Sequence, residues 1–136
     1  MPGATGYLDT DYAAKGRYAI EALKEFDLVC VHIEAPDEAS HEGLPHEKVK
    51  ALENIDRHIV GPLLEELPKH GEWRMLVEPD HRTTLATRAH AYGAVPFAIA
   101  GTGIERGGAT NYDEATAAAS PLAFDPGWTL MEWFLR

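Results

Sequence analysis

The chain has 136 residues, 45% hydrophobic and 25% charged, a length that suits one compact domain and is short for a complete catalytic α/β enzyme. Its 22 acidic against 12 basic residues give a net charge of −10, which argues against nucleic acid as a main partner, because phosphate neutralisation needs a basic face. One cysteine excludes an internal disulfide, no apolar run is long enough to span a bilayer, and Met1-Pro2-Gly3-Ala4-Thr5-Gly6 lacks the basic and apolar regions of a signal peptide, so a cytoplasmic protein is expected.

Asp9, Thr10 and Asp11 offer N-caps for a helix over Tyr12 to Phe26. Ala14, Tyr18, Ala22 and Phe26 recur every four residues, with Ala19 and Leu23 alongside, and this stripe is expected to pack against a sheet. Residues 27–33 hold the run Leu-Val-Cys-Val-His-Ile, which fits a buried parallel strand. The strand stops at Pro36, which cannot donate to a ladder, and Cys30 within it reads as a small buried hydrophobe. A long helix is predicted from His46 to Leu67, with Val49, Leu52, Ile55, Ile59, Leu63 and Leu67 on its apolar face. Gly61-Pro62 interrupts it, and proline in a helix interior costs about 3 kcal/mol, so a kink or split is expected there. Trp73 to Val77 reads as a second strand, Pro79 to Ala94 as a polar loop, Val95 to Ala100 as a third strand and Ile104 to Asn111 as a Gly-rich loop. A short helix near Tyr112 to Ala119 follows. The last helix, Gly127 to Leu135, is expected to bury Trp128, Met131, Phe134 and Leu135. No repeat or linker divides residues 1–136, which are expected to form a single domain. The order of elements is that of a layered α/β/α fold with a mainly parallel sheet, in which ligands gather at the carboxyl ends of strands.

Asp37 and Asp80 each stand one residue after a strand-ending proline. Asp37 and His41 are four apart, so a helix starting near Pro36 turns both to one face. His90 is a third candidate ligand, from the long loop. Asp80 and His81 are adjacent and converge only around a sharp turn, where they would hold a second cation; by themselves they also fit a turn cap. Two cations about 3.5–4 Å apart would clamp a phosphoryl group during in-line displacement. Mixed imidazole and carboxylate ligands suit Mn²⁺ or Zn²⁺ better than Ca²⁺. His32 reads as structural, and His46, His58 and His70 as solvated positions on or beside the long helix. Glu34 and Glu78 either orient a ligand histidine or are solvated.

The stretch His-Ile-Glu-Ala-Pro-Asp-Glu-Ala-Ser-His-Glu-Gly over residues 32–43 is followed by Lys48, Glu53-Asn54-Ile55-Asp56 and Asp80-His81-Arg82-Thr83. Together these resemble the cofactor-independent phosphoglycerate mutases of the archaeal type, in the alkaline-phosphatase-like metalloenzyme superfamily. Gly3-Ala4-Thr5-Gly6, Asp9-Thr10-Asp11, Lys15 and Val95-Pro96-Phe97 extend the resemblance over nearly the whole chain. The resemblance implies an alkaline-phosphatase-like α/β layered core and two divalent cations, manganese, zinc or magnesium. It implies that Asp37, His41 and His90 bind one and that Asp80 and His81 bind the other. It also implies phosphoryl transfer between the 3- and 2-positions of glycerate through a phosphoserine. The family's serine nucleophile, a further metal-binding aspartate and an inserted substrate-gripping domain lie in an N-terminal half that has no counterpart in these residues. The only serines are Ser40 and Ser120, and Ser40 stands where the family usually has glycine. Other departures are Arg82-Thr83-Thr84, which lacks the proline common after the Asp-His pair, Ala91 in place of a hydroxyl residue, and Gly93-Ala94 in place of Asp-Pro. The expected protein is therefore the C-terminal, metal-binding portion of a phosphoglycerate mutase-like isomerase, with partly occupied metal sites and little activity alone. Lys15 is either a contact to substrate phosphate or a solvated helix lysine. The expected partners are a phosphoglycerate-type substrate in the complete enzyme and either a second copy or the remaining half, because an unpaired sheet edge invites association. The alternatives are a fragment of a related phosphatase, phosphodiesterase or phosphonate hydrolase, or a non-catalytic metal-binding dimerisation domain.

Overall fold

The Asp11 carboxylate accepts a hydrogen bond from the Ala14 N–H at 2.7 Å and starts α1, Tyr12–Ala22, in the computed structural model, which describes residues 1–136. Helix α2 spans Ala35–Glu42 and α3 spans Pro45–Ile55. A π turn at Asp56–Val60, α4 at Gly61–Glu66 and a 3₁₀ turn at Leu67–His70 continue the same rod. The four strands are β1 (Arg74–Val77), β2 (Arg82–Thr84), β3 (Ala89–Ala91) and β4 (Ala98–Gly101), and the short helices α5 (Glu114–Ala118) and α6 (Thr129–Phe134) end the chain. The residues form two compact units. The first holds residues 1–71 and 81–93, the second residues 72–80 and 94–136.

In the first unit, α1 buries Tyr12, Ala14, Lys15, Gly16 and Ala19. This face meets the π turn, not a sheet: a Cβ on Gly16 would lie 2.2 Å from the His58 carbonyl oxygen, so only glycine permits the approach. Tyr18 and Phe26, expected on the packed stripe, are 50% and 60% exposed. The expected interruption at Gly61-Pro62 is present, but it takes the form of a widened turn. Pro62 has no N–H to give the ordinary helical bond, and the Gly61 N–H reaches back to the Asp56 carbonyl. The buried residues of this rod are Ala51, Ile59 and Leu67, whereas Val49 and Leu52 face solvent. Tyr12, Ala35, Ala51 and Ile59 form the core, with Leu8, Val31, Ile33, Ile55 and Leu63 packed against it.

Residues 28–33 belong to no ladder, which corrects the expected buried parallel strand. Val31 and Ile33 turn toward the core, while Leu28, Cys30 and His32 are exposed. Cys30 is thus an exposed thiol, not a buried hydrophobe. His32 pairs with Glu34 at 2.6 Å. Lys15 is not solvated either: it is buried, and its ammonium donates to the His32 carbonyl at 2.8 Å, tying this segment to α1.

The mainly parallel layered sheet is absent. Two antiparallel pairs stand in its place, giving a mixed α/β arrangement of short strands. β2 and β3 lie within residues expected to be a polar loop. They pair Arg82 with Ala91, Thr83 with His90 and Thr84 with Ala89. The Arg88 N–H closes the connecting turn on the Thr84 carbonyl at 2.8 Å, and Arg88 takes a left-handed φ of 54°.

In the second unit, β1 pairs with β4 from Arg74↔Gly101 to Val77↔Ala98. Gly101 is required there, since a Cβ would meet the Trp73 carbonyl oxygen at 2.2 Å. Asp113 caps α5 by accepting from the Thr116 N–H at 2.7 Å, and that bond holds its carboxyl below the usual range. α6 buries Leu130, and the Trp133 ring lies tilted against Phe124, which is likewise tilted against Phe97. Trp128, Met131 and Leu135, expected in the core, are exposed. Tyr112 donates to the Pro96 carbonyl at 3.1 Å; burial, with Glu78 and Glu114 nearby, pushes its hydroxyl up to about 12.

Candidate metal centre

Pro36 sits in the first turn of α2, where its missing N–H costs nothing. Gly43, at φ 73°, ends the helix in the left-handed conformation, and the Leu44 N–H returns to the Ala39 carbonyl at 2.8 Å. Between these stops the helix buries Ala35, Ala39 and Ser40. Asp37 and His41, one helical turn apart, share another face, as the spacing predicts. The hairpin supplies the rest. Thr83 and His90 are directly opposed across the ladder, and His81 lies two residues before Thr83, on the same side of the pleat.

Four of the five sequence-predicted ligands meet here. His41 Nε2 lies 3.2 Å from Asp37 Oδ2 and 3.1 Å from His90 Nε2, and His90 Nε2 lies 3.6 Å from Asp37 Oδ1. His81 joins the same group: Asp37, His81 and His90 each offer a donor atom within 4.8 Å of the others. The His81 and His90 rings are 3.9 Å apart, those of His41 and His90 5.0 Å. Sequence spacing pairs His81 with Asp80 instead. Asp80 belongs to the second unit, where burial and the Asp80 charge raise the Glu78 carboxyl.

The electrostatics favour an ionised carboxylate. Burial pulls the Asp37 carboxyl upward, but a hydrogen bond from the Thr83 hydroxyl and the three neighbouring imidazoles outweigh it and hold the group below its ordinary value. His41 Nδ1 donates to the Arg88 carbonyl at 2.9 Å, and in the neutral ring Nε2 is then a lone pair facing Asp37 and His90. Acceptor atoms brought this close to one another repel unless a proton or a cation is shared among them. A four-coordinate cation with bonds of about 2.1 Å sets its donors roughly 3.4 Å apart. The two imidazole nitrogens of His41 and His90 are 3.1 Å apart, and each lies 3.2 to 3.6 Å from one or other Asp37 oxygen, spacings close to that requirement, so the residue types and their crowding are compatible with such an ion. Imidazole nitrogens with one carboxylate suit zinc or manganese.

The sequence reading passes over Lys48, Ser40 and Thr83 as parts of this arrangement. The Lys48 ammonium donates to Ser40 Oγ at 2.6 Å and to the Thr83 carbonyl at 3.1 Å, and Ser40 Oγ donates to the Pro36 carbonyl at 2.8 Å. These bonds fasten α2 to β2 beneath the cluster. The available sequence signal is weak: a β-branched residue two places after His81.

Residues 1–123 match the family model described as the metalloenzyme superfamily. The chain is 50% identical over 132 residues to 2,3-bisphosphoglycerate-independent phosphoglycerate mutase 2 of Methanothermobacter thermautotrophicus, covering 97% of this chain and 33% of that protein. It is 49% identical over 119 residues to the 2,3-bisphosphoglycerate-independent phosphoglycerate mutase of Methanothrix thermoacetophila, covering 87% of this chain and 30% of the relative. The solved structure of the PH0037 protein from Pyrococcus horikoshii superposes with a TM-score of 0.79 at 31% identity, over 85% of this chain and 34% of that one. The chain thus spans about a third of the length of the curated relatives it matches. No helix is long and apolar enough to cross a membrane.

Proposed function

This chain belongs to the metalloenzyme superfamily, and from that premise we propose that it is the metal-binding portion of a phosphoglycerate mutase-like enzyme that moves a phosphoryl group between the 3- and 2-positions of glycerate. The observation that carries this reading is the group of Asp37, His81 and His90, whose donor atoms lie within 4.8 Å of one another, with His41 Nε2 3.2 Å from Asp37 and 3.1 Å from His90. The names of the relatives supply the substrate class. A cation held here would act as a Lewis acid on a phosphoryl oxygen. The chain's own residues prepare that role: Asp37 stays ionised, His41 is oriented by the Arg88 carbonyl, and His90 is held on β3 opposite Thr83.

Neither serine is assigned the nucleophile's part. Ser40 is wholly buried, and its hydroxyl is engaged by Pro36 and Lys48. The Ser120 oxygen accepts from the Leu122 N–H in the turn after α5. The reading therefore gives this chain metal ligation and leaves nucleophilic attack to polypeptide equivalent to the rest of the relatives' length. The test is a mutase assay with 3-phosphoglycerate on the zinc- or manganese-loaded chain, alone and mixed with that complementary polypeptide from a relative. Background activity alone and metal-dependent activity in the mixture are expected. Retention of activity in the mixture after Asp37→Ala with His41→Ala would overturn the assignment.

A further inference from the structure

Thr83 is 8% exposed and is the only hydroxyl hydrogen-bonded to the Asp37 side chain. Its oxygen also lies 3.2 Å from His81 Nδ1. The two contacts constrain each other. The Thr83 hydroxyl donates to Asp37 Oδ1, and a hydroxyl has one proton to give. The Thr83 oxygen then presents lone pairs to His81 Nδ1, and a hydrogen bond forms there only if Nδ1 carries the proton. In the neutral ring this leaves Nε2 unprotonated. We propose that Thr83 is a positioning residue that fixes His81 in the Nδ1–H tautomer and aims the Asp37 carboxylate, so that a single hydroxyl prepares two donors for a divalent cation. His41 receives the same treatment from a different partner, the Arg88 carbonyl.

The hydroxyl is itself held in place. Lys48 grips the Thr83 carbonyl and, through Ser40, the Pro36 carbonyl, so β2 and the start of α2 share one ammonium. The opposed pairing of Thr83 with His90 ties the third imidazole to the same strand position. Removing the partner that orients a metal-ligating histidine typically weakens metal affinity 10- to 100-fold.

This inference rests on the metal-binding reading above, and the experiment separates the two. Zinc or manganese ions are titrated into the full chain and into Thr83→Val and Thr83→Ser, and the ¹⁵N imidazole shifts of metal-free protein are recorded where the rings are neutral. Thr83→Val keeps the shape and loses the hydroxyl. The expected result is that Thr83→Val binds about 10- to 100-fold more weakly and shows His81 as a mixture of tautomers. Thr83→Ser is expected within about twofold of the parent, a rescue that follows from hydrogen bonding rather than shape. The parent is expected to show the Nδ1–H form. Unchanged affinity in Thr83→Val, or an Nε2–H tautomer in the parent, would overturn the proposal. If the parent takes up no ion, the metal-binding reading fails, while the tautomer of parent and Thr83→Ser still decides the role of the hydroxyl. The same spectra decide it if Thr83→Val does not fold.

Discussion

The polar cluster built by α2, β2 and β3 and the apolar segment at residues 28–33 lie in the same unit, and they reach their conformations by different routes. The pieces of the cluster are shaped locally, by a proline start and a glycine stop on α2 and by a closed hairpin turn, and are joined by hydrogen bonds across the chain, from Lys48 and Thr83 and between His41 and the Arg88 carbonyl. The segment has no ladder partner; its inward side chains Val31 and Ile33 pack on the core, and its outward Leu28 and Cys30 face water. The site is built from short, locally stopped elements whose polar side chains find one another across the chain. The segment at residues 28–33 has apolar side chains that pack on the core but no neighbouring strand to pair with.

The contrast can be broken at its packed edge first. Ile59 is 3% exposed and belongs to the core on which Val31 and Ile33 rest. Ile59→Ala should therefore cost about 2–5 kcal/mol in urea unfolding. A loss under 1 kcal/mol would mean that the segment is only loosely seated. Next comes the stop of α2. Gly43→Ala imposes a side chain on a left-handed residue whose Cβ would lie 2.6 Å from Arg88 Nε. It should cost about 1–2 kcal/mol, and it should weaken metal uptake by disturbing the Arg88 carbonyl that orients His41. Leu28→Ala should change stability by no more than about 0.5 kcal/mol, as surface substitutions do; a larger loss would show that the outward face is packed after all. The smallest effect sharpens the polar side. The folded-state value of Asp37 is depressed, so the stability it contributes is present above the unfolded carboxylate range and is lost as pH falls through the folded value. Asp37→Asn should flatten that acid limb below about pH 4 in a stability-versus-pH series, and an unchanged limb would contradict the electrostatic account.

Much of the site was legible in the residues, and the reason is periodicity. The four-residue step from Asp37 to His41 is read directly once Pro36 marks the helix start, and the α1 cap at Asp11 follows from the preference of helix starts for Asp. The hairpin was not legible, because Arg-Thr-Thr and Ala-His-Ala are too short to display apolar alternation. Missing it also hid why His81 stands with His90: the register of β2 against β3 sets that contact, not the neighbouring Asp80. The expected parallel sheet fails for the opposite reason. The apolar run over residues 28–33 carries a strong strand signal, yet extended backbone becomes a sheet only where another strand offers its hydrogen bonds. The buried Lys15 shows the same limit, since its partner is a carbonyl seventeen positions away that no local pattern announces.

The most direct test of the central claim is a calorimetric titration of zinc or manganese ions into the metal-free chain at neutral pH, repeated on Asp37→Ala with His41→Ala. The account predicts saturable binding by the parent and at least tenfold weaker binding by the variant. Absence of saturable binding in the parent, or equal uptake by both proteins, would contradict it.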